Sequence, residues 1–407
     1  MPENLKIKFK ALLPIEGEVI ENGELLIEQG FIREIRQTQS PASATCLDLS
    51  DHLILPGFVN AHCHLSLSAL RGKIPRCEKF TDWVRALLHE NLHTPWTDRV
   101  SALHSGAGEM LKSGVTTLAD TLSQVELLTE YAGFPFRQVV LLEVLGFKGS
   151  MVKKTLDQVT SVFAGQNPKG RLFQLGLAPH APYSVSPALF KELKKLASRY
   201  DCLSSCHLAE FPEEVRFLQK GGGELQEFLE ERGVYDEDWN PPGKSPVRYL
   251  DALGVLDSLV AVHLNHIDDD LELLAARNVG AVFCPGSTRW FDRTRFMPVR
   301  ELLDLGVNVG LGTDSLASND SLNFLRELRV ADEMLTDVSR LEILNMATQG
   351  GATVLGLPVG AISPGRPADL IGFRMPQKPN IWSDVPFDPD RKTVDFSMVR
   401  GKVVSGD

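Results

Sequence analysis

The sequence predicts an α/β protein, a TIM-like (β/α)8 barrel joined to a small β unit built from both chain ends, and three observations carry that prediction. Eight short apolar runs of the buried-strand type occupy the middle of the chain, separated by longer stretches with helical periodicity. Both ends have a different texture, with near-alternating runs punctuated by turn residues. No G-x-G-x-x-G follows the first central run, which counts against the alternative, an open doubly wound sheet that binds a dinucleotide.

Taken in order, the runs from Leu5 to Leu55 read as antiparallel hairpins, with Asn22-Gly23 and Gln29-Gly30 as turn dipeptides. The eight central runs are Leu53 to Val59, Val115 to Asp120, Val139 to Leu145, Leu172 to Ala178, Cys202 to His207, Leu259 to His263, Ala281 to Cys284 and Val307 to Thr313. Between them, Leu189 to Tyr200, Leu225 to Arg232, Leu271 to Arg277 and Val299 to Leu305 carry the clearest amphipathic helical pattern. Strands alternating with helices imply parallel pairing, and eight such units over roughly 300 residues match a closed barrel better than an open sheet. After Pro358 the strand-and-turn texture returns, through Asp369-Leu370-Ile371-Gly372-Phe373 and a last run from Asp395 to Val404. The two ends therefore form one β unit.

Composition narrows the function. The 407 residues are 43% hydrophobic and 23% charged, which fits a folded enzyme-sized protein and excludes a disordered or collagen-like chain. Acidic residues outnumber Lys and Arg by 53 to 42, a net charge of -11, so nucleic acid and anionic membrane surfaces are not the expected partners. No window approaches the ~18 apolar residues of a membrane span, and the opening residues lack a signal-peptide core, so a cytoplasmic location is expected. Cys46, Cys63, Cys77, Cys202, Cys206 and Cys284 are too sparse for a disulfide scaffold and read as reduced thiols packed as small apolar residues.

In such a barrel the active site lies at the C-terminal strand ends, so the residue types found there are informative. The first run ends in Asn60-Ala61-His62-Cys63-His64, the fifth in His207-Leu208-Ala209-Glu210, the sixth in His263 and the eighth in Thr313-Asp314. Alternation along a strand puts His62 and His64 on one side and Cys63 on the other, so the two imidazoles can share a cation. With His207 and Asp314 they make a set of three imidazoles and one carboxylate, suited to one divalent metal ion, zinc or iron(II), with room for water. Each residue has an ordinary alternative. An isolated His-x-His is weak, but four of the ten histidines fall at one barrel mouth. His89, His93 and His104 belong to helices, His52 has no evident role, and His266 competes with His263 for its place. Asp314 before Ser315 can cap a helix, and Glu210 can be a solvated carboxylate before Pro212-Glu213-Glu214. Its position three residues past His207 favours a proton shuttle beside the metal instead.

The motifs PGFVNAHCHLSLSALRG at 56 to 72, HLAE at 207 to 210, VHLNH at 262 to 266, CPGST at 284 to 288, GTDSLASND at 312 to 320, and ATQGGATVLG with ISPGRPADL near 347 to 370 resemble the amidohydrolase superfamily over nearly the whole chain. Within it the sequence is similar to cyclic amidine deaminases, the branch with S-adenosylhomocysteine/methylthioadenosine, aminodeoxyfutalosine and guanine deaminases and triazine chlorohydrolases. The resemblance implies a β-sandwich from residues 1–56 and 359–407, and a hydrolase barrel over 57–358. It implies one divalent metal on His62, His64, His207 and Asp314, with Glu210, His263 and Asp314 catalytic. No lysine stands at a strand end to bridge a second ion.

By the same resemblance His180, in Ala178-Pro179-His180-Ala181-Pro182, contacts substrate, and Trp83 sits on a lid helix over it. Arg289 is assigned to a carboxylate tail, with a surface cation as its alternative, and Trp83 has a packing alternative. Two departures stand out. Ser287 is followed by Thr288 where the family usually has Asn, and Leu92 occupies the place of the acid that grips ribose in adenosine-type members. The reading favoured is a hydrolytic deaminase of an aminated N-heterocycle, of the 6-aminopurine nucleoside type (aminodeoxyfutalosine or S-adenosylhomocysteine/methylthioadenosine). A guanine deaminase or triazine chlorohydrolase-type hydrolase is the first alternative, and a catalytically silent small-molecule binding protein the second. Relatives imply a homodimer or homotetramer.

Overall fold

The computed structural model describes residues 4–37, 46–165, 172–375 and 377–406. Strands β1 (Asn4–Leu12), β2 (Ile20–Glu28), β3 (Phe31–Arg36) and β4 (Cys46–Pro56) come first, followed by the barrel strands β5 (Phe58–Cys63), β6 (Val115–Leu122), β7 (Arg137–Val144), β8 (Phe173–Pro179), β9 (Ser205–Leu208), β10 (Val260–His263), β11 (Gly280–Phe283) and β12 (Val309–Leu311). β13 (Leu370–Arg374), β14 (Phe396–Val399) and β15 (Lys402–Gly406) close the chain.

The two ends meet in one seven-stranded sheet of order β15-β14-β13-β4-β1-β2-β3. Within β4, Ile54 faces the sheet's own core with Ile7, Phe9, Leu25, Leu370 and Phe396, while Leu53 and Leu55 on the other face join the barrel core. The sheet curls until its far strand meets the residues before β13: Phe31 pairs with Pro367, and the Ala368 N–H donates to Gly30 O at 2.9 Å. This wrapping around a private core is the small sandwich-like unit the sequence implies. The outermost limits assigned to it, residues 1 and 407, lie outside the described residues. Gln29-Gly30 does turn β2 into β3, with both residues at positive φ. Asn22-Gly23 does not make a turn. It lies inside β2 opposite Phe9, whose ring would meet a Cβ on Gly23 at 2.5 Å.

The barrel consists of two parallel four-stranded arcs, β5-β6-β7-β8 and β9-β10-β11-β12. Two bridges close it, Leu177 to Ser204 and Cys63 to Asp314. Val59, Ala119, Val139, Leu141 and Ala178 fill one side of the interior with Ala352, Leu355, Leu357 and Val359, and Ala61, Val260, Val262 and Val282 fill the other. All four helices read from the periodicity are present, for example Pro187–Tyr200, where Ser186 caps the first turn by accepting from the Leu189 N–H. Among the described residues no helix is long and apolar enough to cross a membrane. Cys63, Cys206 and Cys284 are buried thiols, whereas Cys46, Cys77 and Cys202 are only half-buried, so the packing expectation holds for three of the six.

The first central run needs correction. Leu53 to Val59 is not one strand, because β4 ends at Pro56 and β5 begins at Phe58. Pro56 lacks a ladder donor, and Gly57 sends its N–H to Asp369 O at 3.0 Å while its Cα packs against Thr116. A Cβ there would stand 2.1 Å from Thr116 Oγ1, on a stiff β-branched side chain that is itself buried. Gly57→Ala is therefore expected to cost about 1–3 kcal/mol in urea unfolding; an unchanged midpoint would show that the joint has slack.

Candidate active site

The strand ends bring the expected residues together, and local backbone irregularities aim them. In β5, Val59 and Ala61 point inward, so strict alternation would send His62 outward. The pairing of β5 with β6 slips between Asn60 and Cys63, and this irregularity turns His62 into the mouth while Cys63 points away to Asp120 Oδ1 at 3.3 Å. His207 follows ordinary alternation in β9. In β10 the inward positions are Val260 and Val262, and His263 turns in because its φ is 77°. Asp314 also has a left-handed backbone, φ 57°, and its N–H donates to His62 O at 3.1 Å across the seam between β12 and β5.

Four donor atoms converge. His207 Nε2 lies 3.3 Å from both His62 Nε2 and His64 Nε2, and Asp314 Oδ1 lies 3.7 Å from each of those two. Donors about 2.0–2.2 Å from a shared ion stand roughly 3.2–3.6 Å apart in a tetrahedral arrangement, so the observed spacings suit one cation. Burial lowers the pKa of His62 and takes His64 down to about 3, which leaves neutral imidazoles with lone pairs. Burial alone would raise Asp314, but the contact with His62 and the nearby His263 and His64 hold its carboxyl well below the usual range. The lone pairs of His62 and His64 and the Asp314 carboxylate face one another within the reach of a single divalent cation. Neighbours fix the orientation: His207 Nδ1 donates to His180 O at 3.1 Å, and Asp314 Oδ2 accepts from Ser287 Oγ at 2.7 Å and Ser318 Oγ at 2.8 Å.

Beside this set, Glu210 is buried, with Oε1 3.5 Å from His263 Nε2 and accepting from Arg293 Nη2 at 2.8 Å. Burial raises its pKa, and the Arg293 charge opposes the rise. His263 also comes within reach of His62 and His207. His266 stays outside the cluster, bonded through its N–H to Ala209 O. His89, His93 and His104 lie on helices away from it, and His52 pairs with Asp51 in β4.

A family profile described as the amidohydrolase family matches residues 53–404. The chain belongs to the amidohydrolase family. It is a hydrolase of carbon–nitrogen bonds other than peptide bonds. A 5-methylthioadenosine/S-adenosylhomocysteine deaminase from Pelotomaculum thermopropionicum is 32% identical over 98% of this chain and 93% of its own length. An adenosine deaminase from Xanthomonas campestris with bound zinc superposes with a TM-score of 0.84 at 24% identity, over 99% of this chain and 93% of its own. Helicobacter pylori aminofutalosine deaminase, in complex with methylthio-coformycin, gives 0.84 at 22%, over 98% of this amidohydrolase and all of that chain. At those identities the two structures establish the shared fold.

Two of the three residues expected to contact substrate in this amidohydrolase, Arg289 and Trp83, have protein partners of their own. Arg289 is not brought to the cluster; it is 41% exposed and paired with Glu333 at 2.6 Å, because the buried side of helix Pro285–Trp290 is taken by Ser287, Thr288 and Trp290. Trp83 spends its indole N–H on Ala317 O at 3.0 Å and packs on Phe80 and Phe291, pinning helix Phe80–His93 over the mouth. Leu92, on the same helix, is 79% exposed. His180 does reach the mouth, its ring 5.0 Å from that of His207.

Sequence reading missed Arg293 and three bracing carboxylates. Arg293 is clamped between the rings of Phe211 and Phe291, at 4.3 and 4.5 Å, and so holds Glu210. Asp120 accepts from Cys63 Sγ and from the Leu65 N–H, the two residues flanking His64, and from Tyr131. Glu214 accepts from the N–H groups of Ala209 and Glu210, and Glu327 from Gly286 and Asn319. Burial pushes them up to about 7, 8 and 7 respectively. No motif marks them, since an isolated acid in a sequence looks like a surface residue. Asp120→Asn puts an amide where three donors converge, and a weakening of metal affinity by about 10–100-fold is expected on titration against a chelator; unchanged affinity would remove Asp120 from the support of His64.

Proposed function

We propose that the chain is a metal-dependent hydrolytic deaminase of an aminated N-heterocycle, of the 6-aminopurine nucleoside type. The observation that carries the reading is the Glu210 carboxylate beside the convergent donor set, within 3.5 Å of His263. His62, His64, His207 and Asp314 would hold one divalent ion, zinc or iron(II). A bound divalent ion supplies Lewis acidity and lowers the pKa of water toward about 7.

The protein's own groups do the rest. Water adds to the ring carbon bearing the amine, and ammonia leaves as the carbonyl forms. Asp314 takes a proton from the attacking water. Glu210, held by Arg293, delivers its proton to the neighbouring ring nitrogen and takes one back from the new hydroxyl as the carbonyl forms, and the proton held by Asp314 passes to the amine, which leaves as ammonia. His263, its pKa held well below 6.5 by burial, is a neutral imidazole that hydrogen-bonds the attacking oxygen. His180 contacts substrate and Trp83 shapes the roof of the pocket.

The names of the sequence relatives support deamination. The test is ammonia release and ultraviolet change with metal-replete protein on methylthioadenosine, S-adenosylhomocysteine, aminodeoxyfutalosine, adenosine and guanine. Turnover of at least one adenine nucleoside is expected. Ammonia from guanine alone would overturn the substrate class, and none from any would overturn deamination.

A further inference from the structure

The backbone that carries Glu210 is fixed on both sides. Its N–H donates to Glu214 Oε2 at 3.0 Å, and its carbonyl accepts from Asn265 Nδ2 at 3.2 Å. The side chain is held differently. Arg293 Nη2 donates to Oε1 at 2.8 Å, and both side chains are 9% exposed. Nη1 of the same guanidinium is buried and has no hydrogen-bond partner among the described residues. One hydrogen bond does not set the direction of a long side chain, so the rings around it must. Arg293 Cζ lies 4.3 Å from the Phe211 ring centroid and 4.5 Å from that of Phe291, and the two rings stand at 86° to each other, making a corner that the guanidinium fills. Both rings lean on helix Phe80–His93: Phe211 packs on Phe80, and Phe291 meets Trp83 edge to face with centroids 5.2 Å apart. Trp83 in turn donates its indole N–H to Ala317 O, three residues past Asp314.

We propose that Arg293 is a positioning residue for Glu210, aimed by Phe211 and Phe291 and, through those rings, by the seating of helix Phe80–His93 over the mouth. The Glu210 carboxyl is directed at the reacting ring while that helix is seated, which joins closure of the site to readiness for proton transfer. This rests on the proton-transfer role of Glu210 in the deaminase reading. Arg293 acts through Glu210 and not through a hold on substrate.

Steady-state kinetics with metal analysis, and a crystal structure of Phe291→Leu, test the relay. Arg293→Met is expected to keep its metal and to keep KM within about threefold while kcat falls about 100-fold, the loss that a misplacement of about 1 Å produces. Arg293→Lys, which restores a charge and a donor but not the flat fork, should recover part of that loss, and carries the test if the methionine variant does not fold. Phe291→Leu should lower kcat, and Trp83→Leu, one ring further out, should lower it by a smaller factor. Combined with Arg293→Met, neither these two nor Glu210→Gln should give a protein slower than the slower of its parents, because all act on one link. A raised KM at unchanged kcat, or losses that multiply in the double variants, overturns the positioning role. In the Phe291→Leu crystals Arg293 Nη2 is expected to stand more than about 3.5 Å from Glu210 Oε1; a pair still at 2.8 Å overturns the relay whatever reaction the protein performs. Parental turnover by Glu210→Gln would overturn the proton-transfer reading, whereas a slow Glu210→Gln beside a parental Arg293→Met would overturn the relay alone.

Discussion

Glu210→Gln is expected to retain the metal and lose turnover, with kcat falling about 10²–10⁴-fold. The substitution keeps the size of the side chain and an oxygen for Arg293 Nη2, which now donates to Glu210 Oε1 at 2.8 Å. It removes the ability to gain and release a proton at a buried carboxylate that stands 3.5 Å from His263 and outside the four donors. The Ala209 and Glu210 backbone stays braced by Glu214, so the loop should not move. Metal analysis and steady-state kinetics on the same preparation check both halves. A variant with near-parental kcat would remove the proton-transfer role, and one that lost metal would place Glu210 among the ligands.

His207→Ala is expected to abolish both metal retention and activity. His207 Nε2 is the atom nearest to two other donors, at 3.3 Å from each of His62 and His64. Its Nδ1 bond to His180 O also ties β9 to the loop after β8. Removing it leaves two imidazoles and one carboxylate and frees the His180 segment, so binding and substrate positioning fail together. The contrast with Glu210→Gln is the informative part: one variant separates metal from turnover and the other does not. Retention of a full metal equivalent by His207→Ala after dialysis would contradict its assignment.

What the sequence disclosed follows from where periodic patterns carry information. The ends of apolar runs gave His62, His64, His207, Glu210, His263 and Asp314, because a strand end can be recognised without tertiary knowledge. How those side chains come to face one point was not legible. His62 depends on a slip in the pairing of β5, and His263 on a backbone φ of 77°, neither of which alternation encodes. The break between β4 and β5 was hidden by a continuous apolar run, although Pro56-Gly57 carried the signal. Arg293 comes from a loop whose neighbours are set only once the barrel closes. Arg293 lies four residues beyond Arg289 in the chain, and it reaches Glu210 whereas Arg289 pairs with Glu333. Buried acids such as Asp120, Glu214 and Glu327 carry no sequence mark, since their burial is a property of the packing around them.

Anomalous diffraction at the zinc edge from crystals of zinc-loaded protein tests the central claim most directly. One peak per chain is expected, at about 2.0–2.2 Å from His62 Nε2, His64 Nε2, His207 Nε2 and Asp314 Oδ1. A peak elsewhere, or none at those four atoms, would contradict it.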